Sequence, residues 1–343
     1  MVSEAAATPA SATACADELH RLGSMLVSLD AADGADAATR RAHLRLRHAR
    51  LSGVLGQLRS ADTAVSTALL RYPEWPDLIY LRANTDIDLH RPGVALAHLD
   101  GAPGLAESPA GLELRGAALE QLGRHSQAEA CFSRALTADP SWQGLAGLAQ
   151  VRAAQGGLDA ADALYAQAED QLTAKEMSAF AWVRATRGEL AASAGDHETA
   201  WARYRSAAAA FSGYWLVESH IARLLRRENR LGEAAAAYSA LHAHTARPEM
   251  AQALGDVHRL RGDDSESARW YTVALAGYRD SAARDEALYL HHLAAYYADV
   301  AGQPEEAAQW AARDAGARRA GDGRWPSLDP RPTSAVRPGR SSI

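Results

Sequence analysis

Apolar and small residues recur along most of this chain at a helical spacing, and the spacing itself repeats. In LELRGAALEQLGRHSQAEACFSRALTADP, Leu112 and Leu119 share a face, and Gly116 and Gly123 stand seven residues apart. Ala128, Phe132, Ala135 and Pro140 follow. The pattern returns as Gly188, Gly195, Ala200, Tyr204 and Ala207, and again as Gly255, Gly262, Tyr271 and Ala274. Two helical stretches joined by a turn, repeated about every 34 residues, predict stacked helix pairs, because one pair alone cannot bury its apolar face. In the unit from Ala110 to Trp142, Gly116 predicts a close approach of the second helix, Gly123 a turn, and Ala128 the crossing point. Phe132 is expected to fill the space toward the next unit. Asp139-Pro140 ends the second helix, since proline lacks an amide donor and disfavours helix at the residue before it.

Other units vary around this pattern. Ala149, Gly156, Ala161, Tyr165 and Ala168 form the next, and after a longer connector at 172–178 another runs from Ala181 to Tyr214. Ala222, Asn229, Ala234 and Tyr238 follow, with Asn229 at the turn, where asparagine tolerates the left-handed conformation. Met250 to Asp280 and Leu288 to Arg318 complete the series. Toward the N-terminus, Leu78 to Leu99 fits with Ala83 and Ala95 at the small positions, and Arg45 to Pro73 reads as an earlier pair with Ala64 and Ala68 on its second helix. Asp17 to Leu29 is expected to form a capping helix. The chain therefore divides into a disordered leader (1–16), a capping helix and linker (17–39), an array of about eight helix pairs (40–320), and a disordered tail (321–343). That tail is rich in Pro, Ser, Gly and Arg and has no apolar period.

Over residues 40–318 the unit resembles the tetratricopeptide repeat (TPR), as found in bacterial proteins. The resemblance implies an all-α, right-handed superhelical solenoid and a non-catalytic scaffold or adaptor that holds a protein or peptide in its concave groove. In this family, helix A of each unit lines the groove at its second, fifth, ninth and twelfth positions. Carried onto this chain, those positions are Asp77, Tyr80 and Asn84, then Glu113, Ala117 and Glu120, then Gln143 and Gln150. Trp182 and Glu189 follow, then Ser219, Arg223 and Arg226, then Gln252, Asp256 and Arg259, and finally Tyr289, His292 and Tyr296. The implied groove is acidic to neutral in its N-terminal half and carries arginines toward its C-terminal half. Arginine forks match carboxylates in bidentate fashion, so Arg223, Arg226 and Arg259 suit an acidic peptide or a free C-terminus. Trp182 and Tyr296 are expected to act as apolar anchors. The lysine and asparagine clamp of chaperone-binding members is mostly missing.

Composition narrows the function further. A net charge of −6 provides no basic field for nucleic acid. No apolar run approaches the roughly 18 residues of a membrane span. Cys15 and Cys131 are the only cysteines and suggest no disulfide framework. His242 with His244, His291 with His292, and His258 lack the spacing of a zinc site, so no metal is expected. There is no GxSxG motif and no phosphate-cradling glycine loop, so neither catalysis nor a cofactor is expected. Lys175 is the only lysine and alanine is heavily used, as a GC-rich genome would dictate. The N-terminus lacks a basic n-region and places Glu4 where an apolar stretch should begin, which points to a cytoplasmic protein. An upstream start would reverse that and suggest an exported protein of envelope assembly. A second function reading is self-association, because no strongly polar helix closes the array around Trp310 to Arg319.

Overall fold

A computed structural model of the chain describes residues 13–320, and among these residues there are eighteen helices and no strand. Residues 1–12 and the whole of the expected tail lie outside the described residues. A first helix, α1 (Ala14–Ser28), precedes pair 1, α2 (Ala35–Ser52) with α3 (Leu55–Arg71). Pair 2 is α4 (Pro76–Asp88) with α5 (Pro92–Asp100), and a single turn, α6 (Pro103–Ala106), follows it. Pair 3 is α7 (Pro109–Gln121) with α8 (His125–Ala138), and pair 4 is α9 (Trp142–Ala154) with α10 (Leu158–Asp170). Pair 5 is α11 (Met177–Ser193) with α12 (His197–Ala210), and pair 6 is α13 (Trp215–Arg227) with α14 (Leu231–Thr245). Pair 7 is α15 (Pro248–Leu260) with α16 (Asp264–Ala283), and pair 8 is α17 (Leu290–Asp299) with α18 (Pro304–Arg319). The fold is an all-α helical-repeat solenoid.

Helix α2 starts ten residues before Arg45, because its first turns carry Ala37, Ala38 and Ala42, whose small side chains leave no clear apolar period. The α6 turn was not expected at all. Elsewhere local chemistry sets the boundaries. Proline opens α4, α5, α7, α15 and α18, where its missing donor costs nothing. Ser108, Ser141, Asp196 and Asp263 cap α7, α9, α12 and α16 by accepting from an amide three residues on. Asn229 turns the chain between α13 and α14 at φ 59°, and α8 stops at Ala138 just before Asp139-Pro140.

Aromatic residues of the second helices fit against glycines of the first. The Phe132 ring is wedged between Gly116 and Gly147, where an added Cβ would lie 2.8 and 2.2 Å from it. Tyr204 meets Gly188 and Tyr271 meets Gly255 in the same way, each at 2.5 Å. The Gly147→Ala substitution therefore sets helix propensity against packing. Alanine gains about 1 kcal/mol in a helix interior, while overpacking a filled core costs about 1–3 kcal/mol. Because Phe132 is buried and held on its other side by Gly116, packing is expected to win and the unfolding free energy in urea to fall. A rise in that free energy would reject the wedge.

The array also folds back on itself, so that the short turns within pairs 1–3 lie against the loops of pairs 5–8. The Cys15 amide donates to Ser212 O at 3.0 Å. At the α2–α3 turn, Trp215 Nε1 donates to Arg50 O (2.9 Å), His244 Nε2 donates to Ser52 O (3.0 Å), and Arg247 Nε donates to Gly53 O (2.6 Å). Arg59 forks onto Glu286 at 2.7 and 2.9 Å. One apolar cluster joins Leu46, Leu58 and Leu78 to Tyr278, Tyr289 and Leu293. Farther along, the end of α18 lies on Gly93 of α5, and Arg318 Nη1 donates to Gln121 O at 3.3 Å. The last turn of the array therefore rests on pairs 2 and 3.

Candidate peptide groove

The strongest polar constellation on the first helices spans pairs 5–7. Glu189 of α11 accepts from Arg227 Nη2 (2.7 Å), from His220 Nδ1 (3.2 Å) and from the Tyr204 hydroxyl (3.2 Å), and Arg223 Nη1 lies 3.3 Å away. One turn along α13, Arg226 Nη1 donates to Asp256 of α15 at 2.9 Å. Asp256 also accepts from the Tyr271 hydroxyl at 2.8 Å, with Arg259 Nη2 at 3.6 Å. Burial opposes the charged form of Glu189, but the His220 hydrogen bond and the Arg223, His220 and Arg227 charges outweigh it and hold the carboxyl at about 2. Burial also holds His220 below the usual histidine range, against the pull of Glu189. Burial and the bond to Asp256 push Tyr271 up to about 12.

Glu189, Arg223 and Asp256 occupy one register position in three consecutive first helices; Glu189 meets Arg223 itself, and Asp256 meets Arg226 one turn farther along α13. Glu189 and Arg223 are 34 residues apart, and Arg223 and Asp256 are 33 apart. Neighbouring first helices pack side by side, so each charge finds its partner across the repeat boundary. The four guanidiniums remain partly open, with side-chain exposures of 39% for Arg223, 32% for Arg226, 31% for Arg227 and 55% for Arg259.

The other candidate residues have different surroundings. Asn84 accepts from Arg50 Nη2 at 2.7 Å, and Arg50 Nε also reaches Asp88 at 2.7 Å, so α2 contributes a cation to the half expected to be acidic or neutral. Tyr80 is half-buried beside it, and burial raises its hydroxyl pKa. Burial also raises the Glu113 carboxyl, which accepts from Ser141 Oγ. Gln150 is exposed. Trp182 does not stand free; its ring lies 6.3 Å from Trp142 and 6.2 Å from Tyr165 and packs the boundary between pairs 4 and 5.

His292 and Tyr296 pack against rings of α16. Tyr296 is buried edge-on against Tyr271 at 6.1 Å, and His292 stacks on Tyr278 at 5.4 Å. Both contact α16. His220, Arg227, Tyr204 and Tyr271 were missed. His220 and Arg227 lie three residues before and four after Arg223 and so share its helix face. The two tyrosines already stood in the repeat pattern, but as packing residues.

No family model matches the chain, and no curated protein matches it. Its likeness is to solved structures. The Cut9–Hcn1 hetero-tetramer of the APC/C aligns with 89% of this chain at a TM-score of 0.56 and 16% identity. This chain spans 57% of the length of the Cut9–Hcn1 chain it matches. An IFIT1 variant solved with m7Gppp-AAAA aligns with 87% of this chain and 76% of its own, at a TM-score of 0.55 and 13% identity. A tetratricopeptide repeat protein from Parabacteroides merdae aligns with 71% of this chain and 92% of its own, at a TM-score of 0.50 and 16% identity. The protein thus has a TPR-like fold. Among the described residues, no helix is long and apolar enough to cross a membrane.

Proposed function

We propose that this chain is a non-catalytic scaffold that holds an acidic segment of a partner protein against the first helices of pairs 5–7. The observation that carries the reading is a local excess of positive charge. Four guanidiniums (Arg223, Arg226, Arg227, Arg259) share two carboxylates (Glu189, Asp256), and 4 − 2 leaves two positive charges on a chain whose net charge is −6. Each guanidinium keeps donors free for a second carboxylate, and arginine presents them as a rigid fork. The internal acids keep the arginines extended and ordered before a partner arrives, which lowers the ordering cost of binding. The net charge favours a peptide over a nucleic acid.

The test is the binding of a fluorescent glutamate-rich peptide to wild type and to the Arg223→Glu/Arg226→Glu variant. The variant is expected to bind at least about tenfold more weakly, or about 1.4 kcal/mol, with unchanged helicity by circular dichroism. Added salt should weaken wild-type binding, as screening requires for partly exposed charges. Equal affinity with intact helicity would reject the site, and displacement of the peptide by a capped oligoribonucleotide would reject the choice of partner class. Capture from the native host's lysate with the same pair of proteins would then name the partner.

A further inference from the structure

Pairs 2 and 8 meet through three histidines. His90 occupies the α4–α5 turn at φ 57° and stacks on His291 of α17, with ring centroids 5.1 Å apart and planes 13° apart. His291 lies 4.3 Å from His292, which stacks on Tyr278 of α16 at 5.4 Å and 10°. The Nδ1 atoms of His90 and His291 are buried without a hydrogen-bond partner. Around Arg318, where α18 reaches pair 3, Gln121 Oε1, His125 Nδ1 and Asp314 Oδ1 are buried and unpaired as well. Native interiors leave few such atoms, and each costs desolvation free energy. This part of the contact is therefore soft. The α2–α3 turn beside Trp215 and Arg247, in contrast, makes well-formed hydrogen bonds.

We propose that the histidine stack is an acid-sensitive latch, which holds α17 and α18 against pairs 2 and 3 while its rings are neutral and releases them when a ring takes up a proton. A proton on His90 would face Arg318 of α18, Arg247 ahead of α15 and His292, and one on His291 would face His90, His292 and Arg318. Glu249 of α15 is the carboxylate that acts on His292. Tyr278 and Tyr289 complete the surroundings and are uncharged at neutral pH. Release would open the array at its C-terminal end and leave the α2–α3 contact in place.

The direction of the pH response follows from linkage. Burial first, then the Arg318, His292 and Arg247 charges, hold His90 at about 4; burial with the His292, His90 and Arg318 charges depresses His291, and burial depresses His292 against the pull of Glu249. A histidine depressed in the closed form takes up its proton on opening. The closed form is therefore fully favoured above the ordinary value of 6.5 and loses ground as pH falls through it. His90 alone shifts the closed-to-open ratio about thirtyfold by pH 5.

Hydrogen exchange of the full chain at roughly pH 7.5 and pH 5, with labelling times scaled to intrinsic rates, tests this. Amides of 89–95 and 317–320 are expected to lose at least about tenfold protection in acid, while those of 44–53 and 215–225 keep theirs. His291→Phe preserves a stacking ring without a titrating group, and His90→Asn preserves a residue that tolerates the left-handed turn. Either variant, at matched helicity, should lose most of the acid response. Protection retained in wild type at pH 5, loss spread evenly along the chain, or an undiminished response in both variants would each overturn the latch.

Discussion

Replacing Arg82 with methionine is expected to lower the unfolding free energy by about 3–5 kcal/mol, the cost of leaving a buried carboxylate short of its partner. Arg82 is 6% exposed and Asp86 1% exposed. The guanidinium donates to Asp86 at 3.0 and 2.8 Å, to Asp62 at 2.7 Å and to Ser66 Oγ at 2.7 Å, tying α3 to α4. Arg91 Nη2 lies 2.8 Å from both Asp62 and Asp86 and would still partly neutralise them, which places the loss toward the lower end of the range. Burial opposes the charge on Asp62, but Arg91 and Arg82 outweigh it and hold the carboxyl below its usual value. Asp62 therefore adds stability that is present above the unfolded-state value and lost as pH falls through the folded one. Adding Asp86→Leu to Arg82→Met should recover most of the loss, since apolar replacements for a buried pair are often neutral. A single-variant cost below about 1 kcal/mol would mean that the cluster behaves like a surface ion pair.

Gly53→Ala should separate pair 1 from pairs 6 and 7 at a cost of about 2–5 kcal/mol, combining a left-handed backbone penalty of about 1–2 kcal/mol with overpacking of about 1–3 kcal/mol. Gly53 has φ 69°, and an added Cβ would lie 2.6–2.7 Å from the Trp215 ring. That ring has little freedom to yield. Its Nε1 is bound to Arg50 O, and the Arg247 guanidinium lies over its face at 4.6 Å. The measurement is urea unfolding paired with small-angle scattering. A lower unfolding free energy and a larger radius of gyration are expected, and unchanged scattering would show that the turn-to-turn contact does not hold the array closed. In a Trp215→Ala background, Gly53→Ala should cost only the backbone term, because the ring that the added Cβ would strike is gone.

The helix pairs were legible because their signals are local. Gly116, Ala128 and Phe132 each act within a few residues or one repeat, and the residue types dictate the contacts: glycine where a ring must approach, alanine at a crossing, Asn229 in a left-handed turn. Helix α2 was harder to place, since alanines at 37, 38 and 42 carry a weak apolar signal. The groove was partly legible. Glu189, Arg223 and Asp256 can be found by spacing alone, but that Arg223 meets Glu189 while Asp256 meets Arg226 depends on which helices lie side by side. The surroundings of His292 and Tyr296 were not legible, because they depend on the tyrosine rings that α16 presents to α17.

By itself, then, the sequence determined the repeat, the boundaries of most helices and the register in which charges recur, all of which rest on propensity, capping and periodicity within one or two units. Only the tertiary structure decided that the array closes on itself. That closure joins Gly53 to Trp215, Arg59 to Glu286 and His90 to His291, residues 162, 227 and 201 positions apart. Such contacts depend on small rotations between successive pairs that add up over eight units, and no local pattern of residues records that sum.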